Sequence, residues 1–470
     1  MISITGAEDS NAQQLKLTVD AAVLMSLQNN KSLQIQRIEP KIGWTRIAQE
    51  KSVFDVNLSG DLSSSMSEED VTDSKTRRTK EELEISKRLR SGAEITLGLS
   101  SENNSAGADY DLYTSQFAIS FKALLYRGAG SGVNLVGVKQ AELAVKSSNY
   151  ELRAYAESII EQVIETYWDY ALALREVKIY EDSLGLAKRQ LYEAEVMVEI
   201  GKLAEIEIVA ARAEAALREQ GLINVQGRAE TLRLKLLRLT NPAKNSDFWD
   251  TAVVIEEQFV APQIEFGSLD SLIETAMKLR PDLNEAKLLL ERGELDVVKT
   301  RNGLLPYLDF FITLGGTGYA ESFGDSFGGV FGDRQDMQIG LNYNVALGRR
   351  DEKARYEQSM FKREQYILAI ENMELIVQEE VRSAWVEANR AARQIEVAKA
   401  TLALQEEKQR AETEKFRVGK STSINVAQAQ RDLLQAQVDE SKAVADYSKA
   451  VINLFRSGGT LLVHYGISVL

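Results

Sequence analysis

The sequence predicts a mainly α-helical fold that also carries membrane β-strands, built from two copies of one helix-strand-helix repeat. Three observations predict this fold. The chain resembles itself at fixed offsets, its longest segments place apolar residues three and four positions apart, and shorter segments alternate apolar with polar residues. The 470 residues include only five prolines, which favours long uninterrupted elements.

The duplication is visible in two registers. Residues 26–33 align with residues 276–283 at an offset of 250, and Tyr167 aligns with Trp385 at an offset of 218. The change of offset means that the first copy carries about 32 more residues, in the Ser- and charge-rich region 63–107. Both copies are therefore expected to share one order of elements, with extra chain in the first.

Each copy is expected to fold as a short helix, strands, a long helix and a second short helix. Apolar residues alternate three and four apart in the long segment, as in a coiled-coil seam, and a helix over 133–200 would be a rod of about 100 Å. The first repeat, 1–240, is predicted to contain helices 18–52, 133–200 and 203–239 with strands within 53–123. The second repeat, 267–456, is predicted to contain helices 269–302, 348–418 and 421–456 with strands within 304–347.

The strand segments alternate with period two. Met337, Ile339, Leu341 and Tyr343 are separated by polar or small residues, so one face of this strand is apolar. Several such segments have the length of a membrane-spanning strand, about 9–11 residues. The pattern also fits a soluble sheet that covers a protein core. We expect membrane strands, because the neighbouring helices already use their apolar seams to pair with one another.

Two strands in each copy give four per chain, which cannot close a barrel alone. An open sheet edge in lipid leaves backbone groups without hydrogen bonds, so several chains must pool their strands, and three chains would provide twelve strands and twelve helical columns. A further alternating pattern, 83–89 and 95–99, predicts an extra hairpin in the first copy, either as membrane strands or as part of an outer loop. The glycine-rich residues 315–332 are expected to form the external loop of the second copy.

Composition argues against several classes of function. The net charge of −14 opposes nucleic-acid binding, which needs clustered Lys and Arg. The absence of cysteine and the single histidine, His464, oppose disulfides, thiolate or His-rich metal sites and a catalytic triad. Residues 419–421 read Gly-Lys-Ser but are not a phosphate-binding loop, because Glu414 stands where that loop requires glycine. The sequence thus predicts no enzyme, no cofactor and no metal.

Six segments share their order and spacing with one known family: Leu17–Leu33, Phe54–Val56, Leu124–Gly130, Glu165–Asp169, Arg280–Leu283 and Phe416–Thr422. Over nearly its whole length the chain resembles the TolC-like outer membrane efflux proteins. The resemblance implies a homotrimer in which a 12-strand β-barrel sits on a 12-helix α-barrel. It also implies an equatorial linker at 241–266 and a C-terminal equatorial segment at 457–470.

The resemblance implies a passive outer-membrane exit duct that carries small molecules or proteins to the cell exterior. Its partners would be outer-membrane lipid, a periplasmic adaptor and an inner-membrane transporter. The first residues lack the apolar core of a signal peptide, so an exported form is expected to have lost that signal. The alternatives are a soluble coiled-coil scaffold and a periplasmic adaptor, and both leave the strands between the helices unexplained.

The candidate docking residues lie where antiparallel helices turn. Glycine suits the left-handed backbone conformation that ends a helix, and each predicted turn contains one glycine followed by lysine. The resemblance implies that adaptor hairpins dock at these tips. The predicted adaptor-docking residues are Gly201, Lys202, Gly419, Lys420 and Thr422.

The residues beside the tips are candidates for the tunnel mouth and its gate. Three-fold symmetry would triple each acidic side chain there and attract cations, and Glu205 and Glu207 fit this position. The family commonly has tyrosine where Phe416 stands and acids where Asn425 and Gln428 stand. These departures argue against a strongly cation-binding mouth and against a gate held by tyrosine hydrogen bonds.

Overall fold

The structure, a computed structural model, describes residues 14–69, 74–106, 111–242, 248–256, 259–261, 266–332, 335–418 and 420–467. The chain forms two units. Among the described residues, the helical unit comprises 14–38, 149–284 and 372–467, and the sheet unit comprises 39–148 and 285–371.

Helices account for most of the described chain. None of the described helices is both long and apolar enough to cross a membrane. The helices are α1 (Val19–Asn29), α2 (Lys31–Gln36), α3 (Glu39–Ser52), α4 (Ser131–Asn134), α5 (Val136–Glu199), α6 (Ile206–Thr240), α7 (Leu269–Leu279), α8 (Pro281–Gly303), α9 (Phe323–Gly329), α10 (Arg350–Arg417), α11 (Ser423–Ser457) and α12 (Leu461–His464).

The short helical stretches that precede the strands are broken at the same position of each repeat. Asn30 ends α1, and its side-chain oxygen accepts a hydrogen bond from a backbone amide of α2 (3.1 Å). Arg280 ends α7 with an extended backbone, because the following proline disfavours helical conformation in the residue before it. The single helices predicted at 18–52 and 269–302 are therefore corrected to three and two helices.

The described strands form two sheets. In the helical unit, β1 (Gln14–Leu17) pairs in parallel with β6 (Ala252–Ile255). In the sheet unit, six antiparallel strands follow the order β2-β3-β4-β5-β7-β8. Their bounds are β2 (Val56–Glu69), β3 (Ser74–Arg88), β4 (Glu94–Ala106), β5 (Asp111–Leu124), β7 (Tyr307–Ala320) and β8 (Gln335–Asn344).

The expectation of four strands in the large sheet is wrong, since the described chain has six. The extra residues of the first copy form the full-length hairpin β3–β4. Strand β3 has apolar residues only at Leu83 and Ile85, so its period-two signal is short. The outer loop expected at 315–332 is also corrected, because β7 continues to Ala320 and α9 follows it.

The core of the helical unit surrounds the small parallel sheet. Tyr167 of α5 is fully buried, and its hydroxyl donates to the Leu17 carbonyl of β1 (3.3 Å). One turn later, the Tyr170 hydroxyl donates to the Val253 carbonyl of β6 (3.0 Å). Leu461 of α12 joins the same apolar cluster. Strand β6 lies within the predicted linker 241–266, and its pairing with the N-terminal strand was not predicted.

Candidate adaptor-docking tips and channel mouth

The first tip, residues 200–205, connects α5 to α6. Gly201 has a left-handed φ of 72°, and its amide donates to the Val198 carbonyl (2.9 Å). The next amide, of Lys202, donates to the Met197 carbonyl (2.8 Å). This pair of bonds is a Schellman motif, which satisfies carbonyls at the end of a helix. The backbone of the turn therefore requires glycine, although nothing lies within 4 Å of where a Gly201 Cβ would stand.

The second tip, residues 418–422, connects α10 to α11. The Lys420 amide donates to the Lys415 carbonyl (2.8 Å), with the same sequence separation as the corresponding bond of the first tip. The Thr422 hydroxyl accepts a hydrogen bond from a backbone amide in the first turn of α11 (3.4 Å) and so caps that helix. Gly419, a predicted docking residue, lies outside the described residues. The exposed lysines Lys202 and Lys420 flank the two turns.

A hydrogen bond joins the two tips. Glu207 lies in the first turn of α6, and its carboxylate accepts a hydrogen bond from the Ser423 hydroxyl in the first turn of α11. Both side chains are half-buried. A carboxylate is favoured at a helix N-terminus, where backbone amides lack intrahelical partners. The predicted mouth residue Glu207 therefore connects the first helical hairpin, α5–α6, to the second, α10–α11.

A carboxylate that sequence reasoning missed lies one turn beyond Gln428. Asp432 of α11 pairs with Lys408 of α10 (2.7 Å) and accepts a hydrogen bond from the Gln428 amide (2.7 Å). The hydrogen bond from Lys408 lowers the pKa of Asp432; partial burial opposes this shift, and the bond from Gln428 adds to it. Arg431 donates to the Gln428 oxygen (3.0 Å). The predicted mouth residue thus belongs to a charged network across the second hairpin.

A second connection between the hairpins is formed by buried charges. Glu214 and Arg218 lie one turn apart on α6, with 2.5 Å between Oε1 and NH2. Both residues are buried, and Arg431 of α11 approaches the other Glu214 oxygen (3.3 Å). An i,i+4 ion pair on a helix is usually a solvated surface pair. The sequence alone therefore does not distinguish Glu214 and Arg218 as site residues. In the structure, the contact between Glu214 and Arg431 identifies this pair as a connection between the two hairpins.

The remaining predicted mouth residues are not joined in one site. Glu205 is exposed, and its side chain makes no capping bond to α6. Asn425 is also exposed, and its amide donates to the Ser421 hydroxyl at 3.4 Å. Phe416 is half-buried on α10. The structure therefore places Glu207 and Gln428 in bonded networks and leaves the other acid exposed.

Three solved structures show the fold to which these helices and strands belong. The outer membrane channel CmeC of Campylobacter jejuni has a TM-score of 0.72 at 16% identity, over 97% of this chain and 91% of that one. VceC, an outer membrane protein of Vibrio cholerae, has a TM-score of 0.69 at 15% identity, over 94% of this chain and 96% of that one. The open state of the MtrE outer membrane channel of Neisseria gonorrhoeae has a TM-score of 0.66 at 15% identity, over 97% and 94%.

The fold is therefore that of the outer membrane channels. Residues 272–460, which include most of the second repeat, match the family model described as outer membrane efflux protein. No curated protein sequence matches the chain. The resemblance to the TolC-like outer membrane efflux proteins is confirmed. The family model and the solved structures describe outer membrane efflux proteins and channels and no enzyme.

Proposed function

We propose that three copies of this chain form a passive exit duct in the outer membrane, with helical hairpins that extend into the periplasm. One observation carries the proposal: the large sheet has an exposed apolar face. Leu58, Leu62, Met337 and Leu341 lie on this face, and each is more than half exposed. Such a surface is unfavourable in water and favourable in lipid. A soluble scaffold or adaptor gives no reason for it.

The trimer is tested by sizing the detergent-solubilised protein and by recording currents after reconstitution into planar bilayers. We expect a particle of three chains and discrete conductance steps. A water-soluble monomer without channel activity would contradict the proposal.

The duct is proposed to be gated at the periplasmic tips. The bonds Glu207–Ser423 and Glu214–Arg431 connect the two hairpins of one chain, so an outward movement of the second hairpin must break both. Loss of either bond should favour the open mouth. Small molecules or proteins would then pass from an inner-membrane transporter to the exterior without energy supplied by this chain.

The gate is tested by single-channel recording of Arg431→Ala. We expect a higher open probability or conductance than in the wild type. A matched control is Arg390→Ala, because Arg390 pairs with Glu387 within α10 (2.6 Å) and connects no hairpins. Equal currents from the wild type and Arg431→Ala would exclude this gate.

The tips are proposed to dock a periplasmic adaptor. Both turns have an exposed lysine beside the helix end, and the described residues of the two turns contain no strand. The double variant Lys202→Glu, Lys420→Glu should lose co-purification of the adaptor from native cells, whereas Lys362→Glu, an exposed residue of α10 in the sheet unit, should retain it. If the adaptor still co-purified with the double variant, the two lysines would not be docking residues.

A further inference from the structure

We infer that the wall of the duct contains eighteen strands, six from each chain, and that the free edge of β2 pairs with β8 of the next copy. The inference rests on the proposed trimer. It departs from the twelve strands implied by four per chain, because the described sheet has six consecutive strands. The alternative is a twelve-strand wall that leaves one hairpin of each chain outside it, either β2–β3 or β3–β4.

The inserted hairpin is long enough to cross a membrane. Strands β3 and β4 have 15 and 13 residues, and their neighbours β2 and β5 have 14 each. A tilted membrane strand needs about 9–11 residues. Both inserted strands are paired along nearly their whole length with the strands beside them. They are therefore continuous parts of the sheet.

The inserted strands place their apolar residues on the same face as all the others. In an antiparallel sheet, directly opposed residues share a face, and the pairing forms rows across the sheet. One such row is apolar in all six strands. Its members are Leu58, Ile85, Leu97, Ile119, Leu314 and Met337.

The opposite face of the hairpin is polar. Glu82, Glu84 and Ser86 of β3 lie opposite Ser100, Gly98 and Thr96 of β4. An apolar outer face with a polar inner face is the pattern of a membrane barrel whose interior contains water. A hairpin that projected into solvent would not need an apolar face in register with its neighbours. The alternation therefore assigns β3 and β4 to the wall.

The turn between β3 and β4 lies at the helix-side end of the sheet. The Gly130 amide, just before α4 and α5, donates to the Ser91 carbonyl of this turn (2.8 Å). Arg88 donates to the Asn134 side-chain oxygen (3.0 Å). Gly92 has a φ of 88°, and a Cβ there would stand 2.4 Å from the Gly128 carbonyl oxygen. The β3–β4 turn therefore contacts the segment that leads into α5.

The apolar band drifts steadily across the six strands. Val56, at the helix-side end of the apolar run of β2, lies in the same row as Ile339, near the opposite end of the run in β8. The centre of the band moves by about six residues over five pairings, which corresponds to a strand tilt of roughly 40° for ordinary strand spacings. Membrane barrels have tilts of about 35–45°. On this face of β3, Leu83 and Ile85 lie between Glu81 and Lys87, and they are level with Leu99 and Leu97 of β4. The apolar residues of both strands therefore lie at the same height as those of their neighbours.

The two edges of the sheet are complementary. Strand β2 leaves the helix-side end and β8 returns to it, so β2 of one copy and β8 of the next are antiparallel. Unpaired edges are not tolerated in lipid, and three sheets joined in this way close a ring. Because barrel diameter grows roughly linearly with strand number, the wall would be about one and a half times as wide as a twelve-strand wall.

Paired cysteines distinguish the two closures, and the chain contains no native cysteine. In the first variant, Leu341→Cys of β8 is combined with Leu62→Cys of the β2 edge, with Gly60→Cys and Ser64→Cys as alternatives that cover the register. The control combines Leu341→Cys with Leu97→Cys of β4, which becomes the edge if β2 and β3 lie outside a twelve-strand wall. All these positions lie on the apolar face.

We expect disulfide-linked trimers on oxidation of a β2–β8 variant and none from the β4–β8 control. Strand counting in single-particle averages of the wild type should give eighteen. Linkage in the control, or twelve strands in a trimer, would overturn the inference and leave the proposed duct intact. Absence of trimers from the wild type before oxidation would instead refute the proposed function.

Discussion

The two repeats have closely similar tips but different numbers of strands. The first tip makes the bond from Lys202 to Met197 and the second makes the bond from Lys420 to Lys415, at equal separations. By contrast, the first repeat contributes four strands to the large sheet and the second contributes two. The backbone conformation of each tip is constrained, because the chain must reverse its direction between two helices there. A sheet, in contrast, accommodates another hairpin if the strands of that hairpin have the same length and the same apolar face as their neighbours. Strand number is therefore the property that varies between the repeats.

The largest expected effect comes from making the first repeat resemble the second. Deletion of residues 74–106 removes β3 and β4, and it leaves β2 and β5, which run in opposite directions and can pair. The trimer should then contain twelve strands in place of eighteen, as counted in single-particle averages.

Two controls accompany the deletion. The tips should remain unchanged, so single-channel currents should still respond to Arg431→Ala. If the wild type and the deletion variant both contain twelve strands, the hairpin lies outside the wall.

In each repeat, the helical stretch that precedes the strands is interrupted at one residue, and the interactions at this interruption differ between the repeats. Arg280 is largely buried and binds Asp282 through two bonds (3.0 and 2.5 Å) and also Glu380. Asn30 caps α2, and its amide donates to the Leu239 carbonyl (3.0 Å). Arg280→Ala removes the charge-assisted hydrogen bonds of a largely buried side chain to two partly exposed carboxylates and should cost about 2–3 kcal/mol. Asn30→Ala loses a cap and one buried bond and should cost about 1–2 kcal/mol.

The measurement is denaturant unfolding of the detergent-solubilised protein. Arg355→Ala serves as the control, because Arg355 pairs with Asp351 on an exposed turn of α10 and should have little effect. Equal losses from Arg280→Ala and Asn30→Ala would show that the two breaks are held by interactions of similar strength.

The sequence predicted those helices and strands whose apolar residues follow one spacing, either helical or period two. Helix α5 and strand β8 were both expected, because apolar residues recur three and four positions apart between Val163 and Val198 and every second residue between Met337 and Tyr343. The sequence indicated β3 only as part of an extra hairpin, which could form either membrane strands or part of an outer loop. Its outer residues beyond Leu83 are charged or polar, so only its pairing with β2 and β4 shows that it continues the sheet.

The candidate site was less predictable than the fold. The glycine turn at the first tip could be recognised because a left-handed residue ends a helix. The connection between Glu214 and Arg431 joins residues 217 positions apart, and neither residue differs in sequence from an ordinary surface charge. Tertiary packing alone brings them together. The bond from Ser423 to Glu207 has the same origin.

A buried carboxyl distinguishes the first repeat by its pH dependence. Burial raises the pKa of Glu157 from 4.5 to about 6, although Arg153, Arg456 and Arg280 oppose the shift. Between these values the native group retains a proton that the unfolded group has lost, so stability falls as the pH rises through this range. Glu157→Gln avoids this loss and should be more stable than the wild type by about 2 kcal/mol at pH 8 and by little at pH 4.

The comparison uses thermal or denaturant unfolding at both pH values. Glu161→Gln is the control, because Glu161 lies one turn away on α5 and pairs with Arg456 (2.7 Å). The control removes a carboxylate from the same helix by the same substitution and breaks the ion pair with Arg456. A pH-independent difference between the wild type and Glu157→Gln would contradict the raised pKa.

The smallest expected effect separates the backbone requirement of a tip from ordinary helix propensity. Gly201→Ala places a Cβ on a left-handed residue and should cost about 1 kcal/mol. Gly227→Ala, on an exposed interior turn of α6 with open space around its Cβ, should stabilise the helix by about 0.5–1 kcal/mol. Hydrogen exchange of the Lys202 amide should accelerate about fivefold in the first variant and remain unchanged in the second. Slower exchange of the Lys202 amide in Gly227→Ala would mean that the tip opens together with the whole hairpin, and its turn would then contribute no local stability of its own.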